Sequence, residues 1–254
     1  MWPFNKNKPI IIPDNAPTVD TVICIPLPWS DKVELFSASN GKLMILGNFL
    51  VDNDAQQHFE VELEGYDKNM QNAFKVAGSV NSVSDEFLAT IGNHKSVLYL
   101  ISKTGNINSA YEMALCANKI LMAGGLGIKV ETTGNAAEPA QWNDFLSLSL
   151  EVACYKCFVV DSIMNKEGEV YTCGMHNLGL KDTIIKGEEF QESVIILSTF
   201  GFYQLIDKPI IRSGQTFQPD LESLLYRITN EDNQPNNDIE LFENVFGMWR
   251  LNRV

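Results

Sequence analysis

Residues 58–66, HFEVELEGY, alternate between apolar and polar, with Phe59, Val61 and Leu63 on one face and Glu60, Glu62 and Glu64 on the other. A period of two predicts a strand with one buried and one solvated side. KLMILGNFLV (42–51) predicts its partner strand, and DNDAQQH (52–58) the turn between them. That turn lacks the glycine and closing glutamate of a calcium loop, and nothing nearby completes a cation site around the three glutamates, so they form a solvated face. Upstream, TVICIP (21–26) is rich in β-formers and predicts a strand. SDKVELFSASNG after Trp29 predicts a short helix, with Ser30 as N-cap and Gly41 as stop.

The centre of the chain is more regular. KNMQNAFKVAG (68–78) and SDEFLATIGN (84–93) predict helices, and SVLYLIS (96–102) has the unbroken apolar run of a strand covered on both faces. NINSAYEMALCANKILMAGG (106–125) is apolar nearly all round except for a thin stripe at Asn108, Glu112 and Lys119, so this helix must be covered on several sides. GIKVETT (127–133) alternates as a strand. Strand, helix and strand with short connections predict a parallel βαβ unit with a right-handed crossover. AGGLG (123–127) follows a helix, whereas a phosphate loop precedes one, so these glycines predict a C-cap and a tight turn. The opposite turn, Ser102–Asn106, lies where ligands of open α/β sheets bind, which makes Lys103 and Thr104 candidate binding residues.

Further on, EPAQWNDFLSLSLEVACY (138–155) predicts a helix, then a hairpin turning near Lys166 or Glu167. GEEFQESVIILSTFGFYQLI (187–206) predicts the last long helix. PIIRSGQTFQP, LLYRIT and VFGMWRLNRV suggest terminal strands around a polar loop, NEDNQPNND (230–238). The expected class is α+β: a mixed sheet with at least one parallel βαβ unit and an antiparallel C-terminal part. Residues 1–19, with four prolines and no periodicity, read as a tail. Residues 20–150 form an α/β lobe and 151–254 a C-terminal lobe of the same compact unit.

Charge narrows the partners. Nineteen Lys and Arg against 32 Asp and Glu give a formal net charge of −13. A phosphate backbone or an anionic membrane requires a basic surface, so nucleic acid and membrane are excluded as expected partners, and a basic protein or a small ligand is favoured. The acidic balance also serves solubility by itself. No stretch is long and apolar enough for a membrane span, and Ile10–Ile12 is too short for a signal-peptide core, so a cytoplasmic location is expected. Five cysteines, an odd number, fit reduced thiols.

Four of the chain's potential metal ligands form the pattern C-x2-C-x15-C-x2-H: Cys154, Cys157, Cys173 and His176. Zinc knuckles set CxxC on a tight turn. Here Cys154 and Cys157 run straight into FVVDSI, and in a strand residues three apart face opposite ways. Hairpin register sets Cys157 near His176 and leaves Cys154 beyond Cys173, so the four groups are not expected to converge. No metal and no cofactor is expected. Neither a Gly-x-Ser-x-Gly elbow nor an HExxH motif occurs, and a Cys–His nucleophile lacks a visible orienting acid or oxyanion donors. Beyond the hairpin, Gly174 and Gly179 bracket His176, and Asp182 follows. Two roles are open for this segment. In one, the glycines permit turns, His176 is a satisfied cross-strand neighbour and Asp182 accepts turn amides. In the other, His176 and Asp182 lie on the rim of a binding surface.

CGMHNLGLKDTII (173–185), with Thr172, Gly174, Met175, Leu178, Gly179 and Asp182, resembles the motif of a bacterial family defined only as a domain of unknown function, DUF 4261. The likeness spans residues 150–254, including GMWRL (247–251), and AGGLGIKVETTGNAAEPAQW (123–142) is similar to the segment that precedes the motif. The cysteines are not part of that motif, and the resemblance implies no activity, cofactor or catalytic residue. The expected function is therefore non-enzymatic: a binding protein, with a basic partner such as a toxin as one possibility. The alternative is an enzyme or small-ligand protein using the Ser102–Asn106 turn or the Cys173–His176 segment.

Overall fold

The computed structural model describes residues 17–235 and 240–254. The predicted tail at residues 1–19 and the loop at 230–238 therefore fall partly outside the described residues. Two sheets account for the strands. In the first, the strands are β1 (Asp20–Leu27), β2 (Leu43–Leu46), β3 (Phe49–Asp52), β4 (Gln57–Glu64), β5 (Ser96–Lys103), β6 (Ile128–Val130) and β7 (Asn135–Ala137). The second contains β8 (Val160–Met164), β9 (Glu169–Cys173), β10 (Asp182–Lys186), β11 (Thr216–Phe217), β12 (Tyr226–Glu231) and β13 (Met248–Arg253). The helices are α1 (Lys32–Ala38), α2 (Met70–Ala77), α3 (Asp85–Gly92), α4 (Ile107–Met122), α5 (Pro139–Leu146), α6 (Leu150–Phe158) and α7 (Phe190–Phe202). Among them none is long and apolar enough to cross a membrane.

The first sheet has the order β2-β3-β4-β5-β1-β6-β7, and every pairing in it is antiparallel. The crossover from β5 through α4 to β6 exists, and the two strands run in the same direction, because each is antiparallel to β1. They do not touch: β1, from the start of the chain, is inserted between them. Local pattern shows a strand–helix–strand unit but not a third strand that arrives from 80 residues away. The second sheet is mixed, in the order β11-β12-β13-β10-β9-β8, and it holds the hydrogen-bonded parallel pair, β10 with β13. The C-terminal part is thus mixed rather than purely antiparallel, and the class is α+β.

Boundaries differ where tertiary bonds override pattern. Asp31, not Ser30, caps α1, accepting from the Val33 N–H at 2.9 Å. Gly41 ends that helix as expected, at φ +77° with its N–H on the Phe36 carbonyl. The strand expected over 127–133 stops at Val130, and the chain turns through Gly134 (φ +68°) into β7. The helix expected over 138–155 is broken at Ser147–Ser149 into α5 and α6. Beyond α7, residues Tyr203–Asp207 widen into a π-helical turn.

α4 lies on one face of the first sheet against Ile23, Ile25, Leu98 and Leu100, with α5 and α6 completing the cover through Trp142, Tyr155 and Phe158. α2 and α3 cover part of the other face through Phe74, Phe87, Leu88 and Ile91. α7 packs on the second sheet through Leu197 and Phe200 against Ile185, Trp249 and Leu251. Both edges of the first sheet are engaged. The Ser39 hydroxyl donates to the Leu43 carbonyl and accepts from its N–H, and the Asn81 amide donates to the Ala136 carbonyl at 2.7 Å. Each contact occupies backbone groups at one position of its edge strand.

The thin polar stripe on α4 is outermost, with Asn108 and Glu112 exposed, while Ala114, Ala117 and Leu121 are buried. Leu121→Ala is expected to lower stability by about 2–5 kcal/mol through lost burial and a residual cavity. Urea titration checks this, and a loss below ~0.5 kcal/mol would contradict the packing of α4.

Candidate functional site

The Ser102–Asn106 turn and the Cys173–His176 segment, separate in sequence, meet in space. Thr104 follows β5, and its hydroxyl lies 2.5 Å from that of Thr21 on β1. Thr21 donates in turn to Asn177 Oδ1 at 2.5 Å, and Thr132 reaches the same oxygen at 3.2 Å. The Gly105 N–H donates to the Asn177 carbonyl at 3.1 Å. A Cβ on Gly179 (φ +78°) would lie 2.2 Å from the Gly105 carbonyl oxygen. On the other side, a Cβ on Gly174 (φ +119°) would lie 1.9 Å from the Phe158 carbonyl oxygen. Both glycines are required because two backbones come within contact distance there. Thr104, Asn177 and Thr132 are buried, so this turn is a joint between the two sheets. Lys103 alone points outward, paired with Asp20 at 2.6 Å with both side chains more than half exposed.

Asp182, at the start of β10, is buried and fully engaged. Its Oδ1 accepts from the Thr172 hydroxyl at 2.9 Å and the Met175 N–H at 3.2 Å, and its Oδ2 accepts from Asn244 Nδ2 at 2.6 Å. It fastens the turn before β10 to the segment before β13, a turn-fixing role of the kind its position suggested. His176 corrects the expectation of a satisfied neighbour. It sits in a 3-10 turn (Met175–Leu178), is 2% exposed, and neither ring nitrogen has a hydrogen-bond partner; Nδ1 is 3.8 Å from Asp182 Oδ2. Asn177 and Asn244 went unnoticed in sequence because amides in loops carry no pattern of their own.

One of the paired thiols lies elsewhere than expected. Cys154 is helical, as the expected helix over 138–155 has it, but α6 continues to Phe158, so Cys157 is helical too and the two share a face instead of opposing ones. That face is the core. Burial pushes the Cys154 and Cys116 thiols up to about 12, and those of Cys24, Cys157 and Cys173 well above the ordinary range. Thiolate chemistry is correspondingly suppressed. Among the described residues, no group of three or more His, Cys, Asp or Glu is placed to hold a metal ion.

An open surface occurs on the first sheet instead. Cross-strand partners share a face, and register aligns Leu46 with Phe49, Phe49 with Glu60, Glu60 with Ile101 and Ile101 with Val22. In the adjoining row Met44 aligns with Val51 and Val51 with His58. Leu46 is 54% exposed and Phe49 49%; Glu60, Glu62 and Glu64 are exposed, and Val22, Met44, Val51 and Ile101 are half-buried. Phe49 meets the His58 ring edge-on at 6.1 Å beside a shallow groove that Leu46, Val51 and Gln57 also line. The sequence showed the glutamate row; the apolar members of the same face come from neighbouring strands and become visible only once register is known. Trp29 and Trp249 are buried and contribute nothing to an open face.

No family model, no curated protein and no solved structure matches the chain.

Asp182→Ala leaves three buried donors without an acceptor and is expected to cost about 2–4 kcal/mol. His176→Ala removes no hydrogen bond and is expected to change stability by a smaller amount. Thermal melts of the two variants check the order. A His176 variant as unstable as the Asp182 variant would contradict it.

Proposed function

We propose that the chain is a non-catalytic binding protein that receives a basic protein partner on the outer face of its first sheet. One observation carries the reading. Phe49 and Leu46 are exposed on a sheet face beside the single carboxylate row Glu60, Glu62 and Glu64 of β4, in a chain of net charge −13. Interfaces combine an aromatic or aliphatic centre with a charged rim, and complementary charge speeds and orients encounter. The carboxylates of Glu60, Glu62 and Glu64, in line along the strand next to Phe49, favour a partner with Lys and Arg beside an apolar contact. The exposed apolar and acidic side chains stand on the face of the sheet, which favours docking by face. The resemblance to the unknown-function family is compatible with this reading and adds no activity to it.

The alternative, an enzyme or small-ligand protein working at the Ser102–Asn106 turn or the Cys173–His176 segment, gains no support from the geometry. Those segments are packed against each other, and their thiols are held protonated.

Phe49→Ala is expected to weaken partner binding by about 1–2 kcal/mol with an unchanged melting temperature, as for an interface anchor. Glu60→Lys together with Glu62→Lys is expected to abolish capture, and capture by the native chain is expected to fall with salt. Pull-down from the source lysate with quantitative mass spectrometry checks both. Retention of the same proteins by the charge-reversed variant, or capture of acidic proteins alone, would overturn the reading.

A further inference from the structure

The second sheet carries a cavity whose electrostatics oppose those of the whole chain. It has a volume of about 260 Å³ and is lined by Lys181, Gln204, Lys208 and Trp249, with Leu180 and Ile211 among its apolar walls. Lys42, Lys103, Lys119 and Lys129 each have a carboxylate within 4 Å. Among the described residues Lys181 and Lys208, like the remaining lysines, have none. The Lys181 ammonium lies 3.9 Å from the centroid of the Trp249 ring and donates to Asn230 Oδ1 at 2.9 Å. Its direct contacts are thus an aromatic face and a neutral amide, with the Asp232 carboxylate farther off. Burial lowers its pKa, with Asp232 acting the other way, so the charged form lacks part of its hydration.

The backbone that brings the second lysine here is costly. Tyr203–Asp207 form a π-helical turn, and Lys208 ends it at φ +48°, ψ +50°, the left-handed region that a side chain with a Cβ enters at a cost. Gln204, 4% exposed, anchors that turn by donating from Nε2 to the Lys181 carbonyl at 3.3 Å. The same contact ties the two lysine-bearing segments together. π-Turns are frequent at functional sites, and a left-handed residue with a Cβ at the end of one adds a local cost.

We propose that this cavity binds a small oxyanion: a carboxylate or phosphate group of a free low-molecular-weight compound, held between Lys181 and Lys208. Two ammonium groups supply the charge and several donors, Gln204 adds a neutral amide, and Trp249 holds the Lys181 stem in place. The volume is below that of ordinary drug-sized sites, which limits the bound part to a few heavy atoms. The cavity is distinct from the open face of the first sheet and involves none of its residues.

Isothermal titration of the full chain with inorganic phosphate, and separately with acetate, tests this at low ionic strength. The two arms distinguish phosphate from carboxylate. Saturable binding of at least one anion is expected, at one site per chain. Lys208→Gln, at an exposed position, is expected to weaken it at least tenfold without lowering the melting temperature, as is Lys181→Met if that variant remains folded. Lys103→Gln, a lysine outside the cavity, is expected to leave it unchanged. No saturable heat with either anion, or equal weakening by Lys103→Gln and Lys208→Gln, would overturn the proposal.

Discussion

At Gly179 the backbone of the second half of the chain lies against the carbonyl of Gly105 so closely that no side chain fits between them. Much of the arrangement follows from that approach. It brings the Asn177 carbonyl to the Gly105 N–H and sets the Asn177 side chain among Thr21, Thr104 and Thr132. Those hydroxyls belong to β1, to the end of β5 and to the turn after β6, so a single amide ties the end of the first sheet to the turn that precedes β10. In a dry interior each such group would be expensive unpaired, so the threonines and Asn177 are stable only as a set. Asp182 continues the network toward Asn244 and the start of β13.

The same constraint explains why the segment stands out in sequence and yet offers no reaction chemistry. Gly174 and Gly179 are needed for backbone contact, and Asp182 is needed as an acceptor for three donors. Among the described residues the His176 ring nitrogens and the Thr133 hydroxyl are buried here without a hydrogen-bond partner. A motif of glycines and one carboxylate thus marks a seam between sheets. The open surfaces lie elsewhere: a sheet face on which Phe49 sits beside a row of glutamates, and a lysine-lined cavity beside the π-turn.

How much of this was legible depended on range. α4 and β4 were readable because their periodicity is local and strong, down to the outward stripe at Asn108 and Glu112. The insertion of β1 between β5 and β6 was not, since strand order is set by contacts across some 80 residues that no window contains. Cys157 falls on α6 rather than in the expected strand because apolar runs such as ACYKCFVV satisfy a buried helix end and a strand equally well. Lys103 and Thr104 were correctly placed at a βα turn, but only the fold shows that Thr104 is sealed beneath the other sheet while Lys103 pairs with Asp20 at the surface. The open face was half legible, as a row of glutamates without the phenylalanine that register brings beside it.

Native-state hydrogen exchange at Gly105 tests most directly whether the joint holds the two sheets as one cooperative unit. Its amide donates across the joint to Asn177, while the amides of Leu100 in β5 and Ile184 in β10 lie within the two sheets. If the joint opens only when the whole chain unfolds, all three amides exchange with the same opening free energy and respond equally to added denaturant. Exchange at Gly105 that is far faster than at Leu100 and Ile184, and insensitive to denaturant, would contradict the account by showing that the sheets part while each remains folded.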